Sequence, residues 1–143
     1  MSKPAPPSLH HIGCVVDSID ARLAGYRQAL GALSISATVE DPIQRVRLAF
    51  LTLPSAGAVQ FELVEPVGAD SPVLAALARG GGLHHLCYEV DDLDAHIAAM
   101  KAARSLLIRR PQPAAAFDGR RIAWMRTHDG LLMEYLERDP HAA

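Results

Sequence analysis

The chain has 143 residues, 50% of them hydrophobic, with a formal net charge of −2 and a sequence pI near 6.4. That is enough for one domain with a real core, and it leaves no basic footprint for nucleic acid or an anionic membrane. No apolar run is long enough to span a bilayer, and the opening Met1–Ser8 lacks the apolar stretch of a secretory signal, so a cytoplasmic protein is expected.

Residues 1–8, rich in proline, read as a disordered leader. Leu9–Val16 is apolar and β-prone, a largely buried strand. Asp17 and Ser18 are N-cap types, and a helix is expected over Ile19–Leu30. Its apolar face is Ile19, Leu23, Tyr26 and Leu30, and Gly31 ends it. A strand is expected over 32–40, broken by Asp41-Pro42, and a half-buried strand over Arg45–Leu53. Pro54–Gly57 reads as a turn, and Ala58–Val64 as a strand closed by Pro66. The first module, 9–66, is therefore βαβββ.

A linker, 67–82, follows. Ser71-Pro72 predicts an N-cap and first turn for a short helix over Pro72–Arg79 that stops at Gly80. Gly80-Gly81-Gly82 reads as a flexible joint. The second module, 83–137, opens with a strand over Leu83–Val90 and a helix capped by Asp91 and Asp92. A short strand over Ser105–Arg110 precedes Pro111 and Pro113, and Ala114–Gly119 reads as a surface loop. Arg120–Thr127 and Leu131–Leu136 are the last strands, joined by a turn at His128-Asp129-Gly130, before a polar tail, 138–143.

The modules are copies of one unit. An offset of 74 residues lays Leu9-His10-His11 on Leu83-His84-His85, and Ile19, Leu23 and Tyr26 on Leu93, Ile97 and Met100. The last strand of each module holds one carboxylate in an apolar run, Glu62 and Glu134, 72 residues apart. A single strand-start histidine is more often structural or exposed than a ligand, and a single strand glutamate usually faces solvent. Two of each at repeat-equivalent positions point instead to a shared site. A buried carboxylate is costly unless paired or bound to a cation. Two carboxylates and two neutral imidazoles balance a divalent ion, and the mixed N and O donors suit Zn, Co, Ni or Mn rather than Ca. Strand alternation alone does not choose between the histidines of each pair.

Other groups have simpler readings. Cys14 and Cys87 fit buried, reduced thiols. His96, His128 and His141 read as surface residues. Glu89 shares the His85 face, as an orienting partner or a rim residue. Arg45, Arg47, Arg120 and Arg121 read equally as a solvated face or as contacts for the phosphates of a large substrate.

With these residues in hand, the chain resembles the vicinal oxygen chelate superfamily (glyoxalase/bleomycin resistance/dioxygenase), and within it the methylmalonyl-CoA epimerases. The resemblance rests on Leu9-His10-His11-Ile12, Phe61-Glu62-Leu63-Val64-Glu65-Pro66, Asp70-Ser71-Pro72-Val73, Gly81–Cys87, Gly119–Trp124 and Leu131–Glu134. It implies an α+β fold of two βαβββ modules forming an incomplete, U-shaped eight-stranded barrel. It implies metal ligands at His11, Glu62, His85 and Glu134, with Glu134 also the catalytic base. The implied reaction is epimerisation or isomerisation through proton abstraction alpha to a carbonyl and a metal-stabilised enolate, on an acyl-CoA or other thioester. A homodimer is implied too.

A further family carboxylate would fall near Ala49, where this chain has no acid, and the family's His-Pro-Lys stretch is replaced by Arg126-Thr127-His128. The alternatives are a glyoxalase I-like lyase acting on a glutathione hemithioacetal, whose bacterial form shares the Glu62 pattern, and a non-catalytic small-molecule-binding protein of the same fold. An extradiol dioxygenase would leave Glu62 without a role.

Overall fold

The computed structural model describes residues 5–32 and 34–139. Met1–Pro4, Leu33 and the tail from Pro140, including His141, lie outside the described residues. The described residues form two units, His11–His84 and the residues up to His10 together with those from His85 onward.

In the His11–His84 unit, β1 (Ser8–Val15) leads into α1 (Ile19–Leu30). Ser18 caps the helix, its hydroxyl accepting the Ala21 N–H, and Gly31 ends it in the left-handed region at φ 64°. Ile19 is buried, and Leu23, Tyr26 and Leu30 pack with it against Cys14, Leu51, Phe61 and Leu63. β4 (Val46–Thr52) and β5 (Gln60–Pro66) are antiparallel, and β1 lies parallel on the other edge of β5. The expected strand over 32–40 is two short pieces, β2 (Ser34–Ile35) and β3 (Val39–Asp41), each antiparallel to β4. Ser36 causes the break. Its hydroxyl accepts the Phe50 N–H at 2.9 Å and donates to the Ala37 carbonyl, so a side chain replaces a ladder acceptor and the backbone turns away.

Two local expectations in this unit are corrected. β5 runs through Pro66 instead of stopping before it, because its pairing with β1 ends at Val64 and no neighbour needs a Pro66 N–H. The linker helix, α2 (Leu74–Ala78), is shorter than expected and is not capped by Ser71, whose hydroxyl is buried without a hydrogen-bond partner. The three glycines after it all have positive φ, 111°, 68° and 87°. They are a defined reversal rather than a loose joint. A Cβ on Gly81 would meet the Val15 carbonyl oxygen at 2.7 Å, so only glycine permits the approach.

The other unit repeats the pattern. β6 (Gly82–Val90) precedes α3 (Leu93–Ala102), capped by Asp92, whose carboxylate accepts the Ala95 N–H. Leu93 and Ile97 are buried with Met125, Met133 and Tyr135, and Met100 packs at the margin. Strand order is β6, β9 (Leu132–Glu137), β8 (Arg121–Arg126), β7 (Leu106–Pro113), with β6 and β9 parallel and the others antiparallel. β7 passes through Pro111 and Pro113, contrary to the expected stop. It pairs only with β8 in this unit and is irregular between Leu107 and Gln112, so proline costs it little. The expected surface loop at 114–119 holds a 3-10 turn, Ala115–Phe117, that buries Phe117 against the His10 ring, 5.2 Å between centroids.

The leader was expected to be disordered through Ser8. From Ala5 it is instead tied down: the Ala5 N–H donates to Asp91, and Arg138 donates to the Pro6 carbonyl and the Ser8 hydroxyl. Among the described residues there are nine strands, one more than expected, because 32–40 divides. The class is α+β, as the sequence implies. No helix among the described residues is long and apolar enough to cross a membrane.

Candidate metal centre

Each unit brings one predicted histidine beside one predicted glutamate. In the first, β1 and β5 run parallel with Gly13 as the Cα partner of Glu62. Gly13 adds no side chain to that face, and His11, two residues earlier, reaches Glu62, with Nε2 to Oε1 at 3.4 Å. In the second, Cys87 is the partner of Glu134, and His85 Nε2 lies 3.8 Å from Glu134 Oε1. All four are buried, at 0%, 3%, 5% and 4% exposure for His11, Glu62, His85 and Glu134. The other members of the histidine pairs, His10 and His84, are half-exposed.

An aromatic ring completes each half. Phe50 on β4 is the cross-strand partner of Glu62, and Trp124 on β8 is the partner of Glu134. Phe50 meets the His11 ring edge-on, with centroids 5.3 Å apart and planes at 67°. Trp124 meets His85 at 4.7 Å and 79°. Inspection of the sequence for ionisable residues passes these two over. The signal was present: the 74-residue offset that relates the histidines also relates Phe50 to Trp124.

Ala49 is fully buried among helix-facing core residues, with Cys14, Leu51 and Leu63. An acid at 49 would point into that core. On β4 the positions sharing the Glu62 side by alternation are Val46, Leu48, Phe50 and Thr52, so this strand offers no second carboxylate there.

The four arginines are bound to carboxylates, Arg47 and Arg121 from strands and Arg45 and Arg120 from just before them. Arg45 pairs with Asp70, Arg47 with Glu65 at 3.0 Å, Arg120 with Glu89 at 3.2 Å, and Arg121 with Glu137 and Asp94 at 2.8 and 3.0 Å. Glu89 is therefore an ion-pair partner of Arg120. Arg121 holds the Glu137 carboxyl below its usual range. Cys14 and Cys87 are buried and are not in disulfides. Cys14 Sγ lies 3.0 Å from the Tyr26 hydroxyl. Burial pushes the thiol up, and the contact with Cys14 pushes Tyr26 up to about 12. His128 is exposed as expected, whereas His96 is half-buried rather than fully at the surface. Its ring packs edge-on against Tyr135 at 4.3 Å, and burial lowers its pKa.

The donor set suits a divalent cation. Two buried imidazoles each lie beside a buried carboxylate, and removing a carboxylate from water is costly without a compensating positive charge. Hard and borderline donors in this ratio match a transition-metal or zinc-like ion.

The family model described as the glyoxalase/bleomycin resistance protein/dioxygenase superfamily matches residues 5–124. An ethylmalonyl-CoA/methylmalonyl-CoA epimerase from Cereibacter sphaeroides is 32% identical over 130 residues, covering 88% of this chain and 94% of its own. The chain belongs to this superfamily, among its methylmalonyl-CoA epimerase-like enzymes. The crystal structure of the Mycobacterium tuberculosis methylmalonyl-CoA epimerase superposes on this epimerase-like chain with a TM-score of 0.78 at 28% identity, covering 92% of this chain and 88% of that one. A variant of the Streptomyces coelicolor enzyme, in complex with 2-nitronate-propionyl-CoA, gives a TM-score of 0.73 at 30% identity, covering 90% and 95%.

Proposed function

We propose that the two His–Glu pairs together hold one divalent cation, and that the chain interconverts the epimers of a methylmalonyl-CoA-like thioester. The observation that carries this reading is the repetition of the buried pair, His11 with Glu62 and His85 with Glu134. The epimerase relatives, one bound to an acyl-CoA analogue, support an acyl-CoA substrate. Co, Zn, Ni or Mn fits the four donors. When bound, such an ion supplies positive charge next to the substrate's carbonyl oxygens.

His11 and His85 would serve as nitrogen donors to the ion, and their burial keeps water from the reacting face. Glu134 removes the proton from the carbon alpha to the thioester, and the electron pair of that C–H bond moves toward the carbonyl oxygen. A proton from solvent, delivered to the opposite face, inverts the centre, and Glu134 releases the proton it took back to solvent. Glu134 suits this role because its carboxylate is buried beside the His85 imidazole, which keeps it in a fixed place away from bulk water. Cytoplasmic placement and a homodimer belong to the same proposal, the former supported by two buried cysteines that are not in disulfides.

Purified protein should contain about one divalent ion per chain, and His85→Ala should lose most of it. Metal retained by that variant would overturn the ligand set. Incubation in deuterated water should put deuterium on the alpha carbon of methylmalonyl-CoA. Turnover of the methylglyoxal–glutathione hemithioacetal without that exchange would favour the lyase instead.

A further inference from the structure

Phe50 and Trp124 occupy repeat-equivalent places, each opposite a glutamate and each edge-on to the histidine of its own half. An imidazole on a strand can rotate about two side-chain torsions, and the second is broad for a flat ring. The carboxylate beside each histidine stands near one atom of the ring, at 3.4 Å for His11 and 3.8 Å for His85, and leaves rotation about the line to that atom open. A second ring meeting it nearly at right angles closes this freedom, because the edge of one ring fits the face of the other only over a narrow range of tilt.

The contact is close in both halves, and the cross-strand pairing gives it a fixed base. Trp124 stands on a regular stretch of β8–β9 pairing, and Phe50 on regular β4–β5 pairing. From this repetition we propose that Phe50 and Trp124 are positioning residues, the walls that hold His11 and His85 in the orientation a divalent cation requires. The inference rests on the metal reading given above.

The wall on the Glu134 side is the larger ring, in the half assigned the base. Metal affinity should therefore depend more on Trp124 than on Phe50. Ligand-orienting partners of this kind typically govern affinity by about 10–100-fold.

Trp124 is the only tryptophan of the chain, so its emission reports on this place alone. Titrating the metal-stripped wild type with Co²⁺ should quench that emission in step with binding measured by equilibrium dialysis. Trp124→Phe should keep Co²⁺ affinity within about threefold, whereas Trp124→Leu should weaken it by about tenfold or more. Phe50→Leu should weaken it less, and remains informative if the Trp124→Leu protein does not fold. A purely packing role would lower the melting temperature of the leucine variants and leave Co²⁺ affinity at 10 to 15 degrees below melting unchanged, which would overturn the proposal. Absence of Co²⁺ binding by wild type would overturn both this inference and the metal reading. Binding that is normal in wild type, lost in His85→Ala and unaffected in either leucine variant would overturn the inference alone.

Discussion

The two halves share an imidazole, a carboxylate and a ring, yet they brace them differently. Arg22 and His96 stand at equivalent repeat positions. Arg22 reaches outward to Asp17 at 2.8 Å and holds that exposed carboxyl down to about 2. His96 turns inward onto Tyr135. Asp91, the counterpart of Asp17, takes its arginine from beyond β9 instead, from Arg138. Arg47 and Arg121 are equivalent as well. Both bind a carboxylate at the end of the neighbouring strand, Glu65 and Glu137. Glu65 then accepts the Ile19 N–H at the start of α1, whereas Arg121 reaches a second acid, Asp94 on α3. The lesson is one of tolerance. Strand register and helix face repeat closely, while the polar groups around them reach similar ends through different partners. Backbone pairing limits where a side chain begins, and long charged side chains have several ways to finish.

The sharpest way to break the comparison is through the glutamates. Glu134→Gln should lower turnover by about 10²–10⁴-fold, the usual yield of a positioned general base, whereas Glu62→Gln should act chiefly by weakening metal binding. Steady-state kinetics at saturating metal separates them. An equal loss in both would make the halves catalytically equivalent and remove the special role of Glu134.

A smaller effect concerns stability. Gly81→Ala meets the Val15 carbonyl and a left-handed φ together, so denaturant unfolding should show a loss of about 2 kcal/mol or more. The same change at Gly25, in open space on α1, should be neutral or slightly stabilising.

The smallest effect sharpens the contrast between His96 and Arg22. Burial lowers the His96 pKa in the folded state below its ordinary 6.5. The unfolded chain then takes up this proton first as pH falls. Stability linked to His96 is whole above the unfolded value and drains as pH drops through the lowered folded one. His96→Phe should flatten the acid side of a stability profile taken between about pH 8 and pH 5, and leave the neutral side little changed. A profile identical to wild type would show that His96 does not contribute.

Much of this was legible in the chain because the repeat doubled each signal. The Ser18 and Asp92 caps, the Ile19 and Leu93 faces and the two glutamates each appear twice at nearly one spacing. What escaped reading was decided by tertiary neighbours. Pro66, Pro111 and Pro113 look like strand breakers, and they are tolerated only because of which ladder they sit on. Ser36 splits a strand with its hydroxyl, which no periodicity reveals. Phe117 looks like one apolar residue in a loop of small ones, and it packs against a histidine far away in sequence, with an arginine three residues on lying over its ring. His96 sits in a helix of mostly alanine and apolar residues, and only Tyr135 shows which way it faces. At the site, attention to charge hid the rings, whose role lies in shape.

The glycine run at 80–82 has one more consequence. All three residues hold positive φ values, the sign natural to amino acids of the opposite chirality. D-Alanine introduced at Gly80 by chemical ligation would keep the same path and restrict the unfolded chain, raising stability by about 0.4–1 kcal/mol. L-Alanine there would do the reverse. This short stretch is a place where the molecule is built, in effect, from mirror-image backbone.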